Sequence, residues 1–116
     1  MRALIIEDEA LMVLLIEHEL QSLGYNHFDV AEDEGQALAA IQRHCPDLIT
    51  VDDWLVRHST LDRLRAACPD EAIPAVHFGT FDLQNSENPE TDAALPKIFN
   101  RQSLRQAIRK AGRRTN

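Results

Sequence analysis

Short apolar runs alternate along the chain with segments that have the apolar spacing of a helix. The clearest runs cover residues 3–6, 48–51 and 75–78, and weaker candidates cover residues 27–31 and 93–95. A strand that is buried on both faces is apolar at nearly every position, whereas a half-solvated strand alternates polar and apolar residues. The alternation therefore predicts a parallel sheet that is covered by helices on both faces.

Capping signals indicate where the helices begin and end. Asp8 precedes the first helix as a candidate N-cap, and Asp33 precedes the second, three positions before a glutamine. Gly24 and Pro46 are the corresponding stop signals. Residues 82–92 contain a single apolar residue and a proline, so we expect an irregular loop there rather than a full helix.

The length and charge of the chain exclude several classes of protein. It has 116 residues, 44% of them hydrophobic, which suits one packed domain. We place this domain at residues 1–113, with a frayed tail at 114–116. The formal net charge of −7 disfavours nucleic-acid binding, because a negative surface repels phosphate backbones. No apolar run approaches the roughly 20 residues of a membrane span, so we expect a cytoplasmic protein without a membrane partner.

Several other residues have less specific interpretations. Cys45 and Cys68 have no metal-binding spacing, and without a secretion signal we expect them to be reduced thiols. We expect Asp53 to face solvent and His77 to be a hydrogen-bonded core residue. Arginines at four-residue steps form either a solvated helix face or a contact for an acidic partner; they are Arg101, Arg105, Arg109 and Arg113.

Charged residues stand at the ends of three apolar runs. Glu7 and Asp8 follow the first run, Asp52 follows the third, and Lys97 follows the fifth. Because the carboxyl ends of parallel strands meet at one edge of a sheet, we expect these side chains to converge. Three carboxylates repel one another unless a cation joins them, and oxygen ligands suit magnesium. A nearby lysine would bind an anion, so the set provides the parts of an aspartate that accepts a phosphoryl group.

Four pieces of sequence occur in the order that a known family shows: LIIEDEA, PDLITVDDWL, IPAV and LPKIF. On these pieces the chain resembles a response-regulator receiver domain over nearly its whole length. The resemblance implies a flavodoxin-like α/β fold, with a five-stranded parallel sheet of order 2-1-3-4-5 and helices on both faces. The fourth helix would be short or missing, since the irregular loop takes its place.

The resemblance also implies a role for each residue at the sheet edge. Asp52 would be the phosphoacceptor, and Asp8 and Asp52 would coordinate magnesium through their carboxylates. Glu7 would assist through a water molecule, and the backbone carbonyl of Trp54 would complete the protein ligands. Lys97 would pair with the phosphoryl oxygens.

The chain departs from the family at the switch position. Receivers usually carry a hydroxyl residue where this chain has Gly79. Thr80 supplies the hydroxyl if the Phe-Gly-Thr-Phe stretch is aligned with the similar Phe-Ala-Thr-Gly-Tyr motif of a proteobacterial single-domain subgroup. Two side chains flank the water path to the phosphorus in receivers. Here they are Trp54 and, depending on the alignment, Phe81 or Asp82, and we expect the bulk of Trp54 to exclude water.

Two functions follow from the resemblance. The first is a stand-alone phosphorylation switch, because the chain ends at its last helix and we expect no output domain. A histidine kinase or histidine phosphotransferase would donate the phosphoryl group in such a two-component system. A downstream protein partner or onward transfer in a phosphorelay would carry the signal. Self-catalysed phosphorylation and dephosphorylation would be the only enzymatic activity. The expected oligomeric state is a monomer or a weak dimer. The alternative is a degenerate receiver that acts as a phosphorylation-independent protein-binding module, which the missing hydroxyl and helix favour.

Overall fold

The computed structural model describes residues 1–69, 72–79, 92–95 and 101–112, along which strands and helices alternate. The strands are β1 (Arg2–Ile6), β2 (His27–Ala31), β3 (Leu48–Asp52), β4 (Ala75–Phe78) and β5 (Asp92–Leu95). The helices are α1 (Ala10–Ser22), α2 (Glu34–Arg43), α3 (His58–Ala66) and α4 (Arg101–Gly112). None of the helices described here is long and apolar enough to cross a membrane.

The strands form one parallel sheet in the order β2-β1-β3-β4-β5. This arrangement confirms the expected α/β class with a flavodoxin-like parallel sheet. The chain adds strands first on one side of β1 and then on the other, so the strand order reverses between β1 and β3. Ligands of open parallel sheets bind beyond the strand ends at such a reversal. The helix that receivers have between β4 and β5, which we expect to be short or missing here, would fall within residues 80–91, outside the described residues.

Alternate residues of the strands pack into two apolar clusters, one on each face of the sheet. Leu4 and Ile6 of β1 belong to the cluster that α2 and α3 cover. Ala3 and Ile5 belong to the cluster that α1 and α4 cover. Both faces of β1 are therefore buried, which explains why its sequence is apolar at successive positions. β3 is buried along its whole length, including its terminal residue Asp52.

The two expected helix caps have different outcomes. Asp33 does cap α2, because its carboxylate accepts a hydrogen bond of 2.8 Å from the backbone N–H of Gln36. Asp8 does not cap α1, so that prediction is wrong. The N-cap residue of α1 is Glu9, whose side chain makes no capping hydrogen bond. The Asp8 carboxylate lies instead with two other acidic side chains at the sheet edge.

The prediction of two reduced thiols is also wrong in this structure. Cys45 and Cys68 form a disulfide in which the two Cα atoms are 5.8 Å apart. Cys45 follows the end of α2 and Cys68 follows the end of α3, and both helices pack on the same face of the sheet. Sequence spacing did not indicate the pairing because the fold, and not the spacing, brings the two helix ends together.

Candidate functional site

Three carboxylates meet at the carboxyl ends of β1 and β3. One oxygen from each of Glu7, Asp8 and Asp52 lies within 4.8 Å of the others. The sheet register explains this approach, because Ile6 pairs with Val51 and the next residues leave the two strands at the same edge. The convergence predicted from the strand ends is therefore found for all three acidic residues.

The burial of the cluster determines its chemistry. Glu7 is 1% exposed and Asp52 is 2% exposed, whereas Asp8 is open to solvent. Ionised carboxylates this close together repel one another, and a bound cation relieves the repulsion. A set of oxygen donors with one solvent-facing member suits magnesium, which keeps several of its own waters. The residues present therefore fit a magnesium ion.

A tight turn fixes the orientation of the Asp52 carboxylate. Its Oδ1 accepts a hydrogen bond of 2.9 Å from the backbone N–H of Trp54. The backbone carbonyl of Asp52 accepts a second bond of 2.9 Å from the N–H of Leu55. Asp52 therefore stays at the strand end with its side chain held by the chain that follows it.

Asp53 does not face solvent, so the expectation for this residue is wrong. Its side chain is 8% exposed, and its Oδ1 lies 2.9 Å from Nδ1 of His77. The backbone N–H of Asp53 also donates to the carbonyl of Phe78 at 2.9 Å. His77 is fully buried in β4, which confirms the prediction of a hydrogen-bonded core histidine. Sequence reasoning missed the pair because it depends on the register of β3 and β4, in which Val51 aligns with His77.

The indole of Trp54 lies against Gly79, the residue that follows β4. Gly79 has a φ of +119°, and a Cβ atom built on it would lie 3.2 Å from Nε1 of Trp54. Trp54 itself is 72% exposed, so the ring covers this glycine from the solvent side. The contact places Trp54 beside the strand end where receivers usually carry their hydroxyl residue.

A polar link that sequence reasoning missed holds the start of α3. The Glu34 carboxylate of α2 accepts hydrogen bonds from the Thr60 hydroxyl and, at 3.4 Å, from the backbone N–H of Arg57. The Arg57 guanidinium lies 3.6 Å from the other oxygen of Glu34. The Thr60 hydrogen bond is the main cause that lowers the pKa of Glu34 below its ordinary value. The link ties the segment after Asp52 to α2.

Three of the residues predicted for the site are Thr80, Phe81 and Lys97. They lie outside the described residues, so their approach to Asp52 stays a prediction. The described part of the site therefore consists of the acidic cluster, the Asp52 turn and the Trp54 ring.

Solved structures that are similar to this chain include receiver domains and response regulators. The receiver domain of a sensor histidine kinase from Pseudomonas aeruginosa PAO1 is 29% identical, and the match covers 96% of this chain and 97% of that one with a TM-score of 0.67. That structure holds a magnesium ion coordinated in its active-site cleft. No protein-family model matches this chain, and no curated protein matches it at a significant level.

Two further structures support the same fold. The response regulator PhyR from Brucella abortus is 26% identical, with a TM-score of 0.74, over 98% of this chain and 48% of its own. This chain therefore spans about half of PhyR. A CheY-like receiver protein from Methanospirillum hungatei JF-1 is 23% identical, with a TM-score of 0.76, over 97% of this chain and 94% of its own, and it supports the fold alone.

Proposed function

We propose that this chain, which is similar to receiver domains of response regulators, is a signalling switch that accepts a phosphoryl group on Asp52. The observation that carries the proposal is the acidic cluster, in which Asp52 is buried and two further carboxylates lie within 4.8 Å of it. A buried aspartate at a strand end, surrounded by like charges, is poorly suited to a purely structural role. It is well suited to a site that binds a metal ion and a phosphoryl group.

The chain's own residues would hold magnesium at this edge. Asp8 and Asp52 provide carboxylate ligands, Glu7 assists through a water molecule, and the backbone carbonyl of Trp54 completes the set. Bound magnesium would neutralise charge on the phosphoryl oxygens as they approach the carboxylates. The magnesium of the Pseudomonas receiver domain supports this assignment.

Phosphoryl transfer to Asp52 needs positioning more than it needs further chemistry. A carboxylate oxygen of Asp52 attacks the phosphorus of a phosphohistidine, the new O–P bond forms, and the P–N bond to the donor imidazole breaks. The Trp54 N–H holds Oδ1 of Asp52 in place during the attack. In this proposal Lys97 and Thr80 bind the phosphoryl oxygens. Trp54 and Phe81 exclude water from the acyl phosphate.

The donor in this proposal is a histidine kinase or a histidine phosphotransferase. We assign the receiver domain to residues 1–113 and propose a cytoplasmic location for it. It signals through contact with a downstream protein or through onward transfer to another histidine, as a monomer or weak dimer. The intact acidic cluster argues against the alternative of a phosphorylation-independent binding module, because such a module has no need of three converging carboxylates.

Intact mass spectrometry tests the proposal directly. The protein is incubated with magnesium and a small-molecule phosphodonor, and we expect the mass of one added phosphoryl group. Asp52→Asn should abolish the addition, whereas Asp53→Asn should retain it, because that amide can still hydrogen-bond to His77. A phosphoryl group that persists in Asp52→Asn would overturn the assignment of the acceptor. No addition to the folded wild-type protein would favour the binding module.

A further inference from the structure

The chain contains a disulfide that has no part in the proposed phosphorylation. The disulfide joins Cys45 and Cys68, whose Cα atoms are 5.8 Å apart. This separation lies within the range of about 4.4–6.8 Å that native disulfides show. The sequence contains no other cysteine, so neither thiol has a competing partner within the chain. Cys45 and Cys68 can therefore form a disulfide within this chain only with each other.

The two cysteines differ in their exposure to solvent. Cys45 is exposed, whereas Cys68 is 4% exposed and belongs to the apolar cluster under α3. We therefore expect a thiolate from solution to approach the bridge from the side of Cys45, with the buried Cys68 as the leaving group. Exchange reactions of disulfides depend on such access to one of the two sulfur atoms.

The bridge and the acidic cluster lie at opposite edges of the sheet. Cys45 precedes β3, and Asp52 ends it. A strand of this length separates its two ends by about 13 Å. The starts of α2 and α3 are tied near the acidic edge by Glu34 and Thr60, and the bridge ties their ends at the other edge.

We propose that Cys45 and Cys68 form a thiol–disulfide exchange site for low-molecular-weight thiols of the glutathione class. A glutathione thiolate bonds to the sulfur of Cys45, the Cys45–Cys68 bond breaks, and Cys68 leaves as a thiolate that takes up a proton. A second glutathione thiolate attacks the glutathione sulfur of the mixed disulfide and releases Cys45 as a thiol. The protein gains two electrons and two protons, and two glutathione molecules become one glutathione disulfide. The reverse sequence restores the bridge.

The proposed cytoplasmic location favours exchange over a permanent bridge. Glutathione keeps cytoplasmic thiols largely reduced, and disulfides that form there are usually transient or redox-sensing. Opening the bridge releases the end of α3 from the end of α2, while the Glu34 link still holds the start of α3. The redox state therefore acts on the ends of two helices and leaves the acidic cluster in place.

The experiment measures the bridge and its effect on the fold in glutathione buffers of varied redox poise. Alkylation followed by intact mass should count no free thiol in oxidised protein and two in reduced protein, reversibly. Closing a loop of this length should raise the melting temperature by on the order of 10 °C. Hydrogen exchange should lose protection over residues 64–68 on reduction and keep it over residues 3–6.

Cys45→Ser is the matched variant, because it removes the bridge at an exposed position and leaves Cys68 in its apolar site. Its melting temperature should equal that of reduced wild-type protein and should not respond to the buffer. A bridge that folded protein neither opens nor re-forms in glutathione, or a melting temperature that ignores its state, would overturn the proposal. Asp52→Asn should keep the full redox response, so a failure of phosphorylation and a failure of exchange are distinguishable.

Discussion

Replacing Gly79 by alanine should destabilise the domain and displace the Trp54 ring. Gly79 has a φ of +119°, a conformation that side-chain-bearing residues rarely adopt. A Cβ atom there would lie 3.2 Å from Nε1 and 3.3 Å from Cδ1 of Trp54. Both effects act directly after β4, at the edge of the sheet that holds Asp52.

Backbone strain should dominate the loss of stability in Gly79→Ala. A non-glycine residue in so sparsely populated a region costs about 1–3 kcal/mol. The contact with Trp54 adds little, because that residue is 72% exposed and the ring can shift by a few tenths of an ångström. For a chain of 116 residues, such a loss lowers the melting temperature by about 4–12 °C.

Thermal unfolding and tryptophan emission together measure the effect. Trp54 is the only tryptophan in the sequence, so the emission reports on the surroundings of this one ring, which include Gly79. Gly35→Ala in α2 is the matched control, because a Cβ there would make an ordinary contact of 3.5 Å with the Asp33 carboxylate. The control should be neutral or stabilising by up to about 1 kcal/mol. An unchanged melting temperature and unchanged emission in Gly79→Ala would refute the reasoning.

Three further predictions concern other contacts. Arg105→Met should lower the free energy of unfolding by about 2 kcal/mol, because it removes a half-exposed guanidinium that lies 2.9 Å from the buried Glu19 carboxylate. Denaturant unfolding measures this loss, and the control Arg109→Met at an exposed position should be nearly neutral. Glu34→Gln should destabilise the domain at pH 7 and not at low pH. Because the pKa of Glu34 is lowered in the folded protein, its carboxylate stabilises the fold above the unfolded-state pKa near 4.5, and this stabilisation is lost as the pH falls through the folded-state pKa. Equal losses of stability at both pH values would contradict this reasoning. Trp54→Asn should shorten the lifetime of the phosphorylated protein, since asparagine admits and orients water, and equal dephosphorylation rates by mass spectrometry would show that Trp54 does not shield the phosphorus.

The parts of the fold that the sequence predicted are those with a local cause. β1 and β3 are apolar at successive positions because both faces are buried, and that pattern is visible without a structure. The acidic cluster was predictable for the same reason, since Glu7, Asp8 and Asp52 are the residues at which these two runs end. Parallel topology alone then places them at one edge.

The parts that the sequence missed depend on register and on the packing of distant helices. The Asp53–His77 pair requires that β3 and β4 align Val51 with His77, which no local pattern specifies. The ion pair of Glu19 with Arg105 joins residues 86 positions apart on α1 and α4. It draws one arginine of the predicted ladder into a helix–helix contact, whereas the exposed Arg109 fits the solvated face.

The conformation of Gly79 bears on how this chain would respond to the proposed phosphorylation. A serine or threonine at position 79 would meet the same strain as alanine and the same contact with Trp54, so the backbone at this position suits glycine and not a hydroxyl residue. The described residues offer a different connection, between the turn after β3 and strand β4. Asp53 follows the acceptor directly, its N–H bonds to the Phe78 carbonyl, and its carboxylate pairs with His77. A shift of the turn after Asp52 would therefore reach β4 through Asp53, and the hydroxyl role remains a prediction for Thr80.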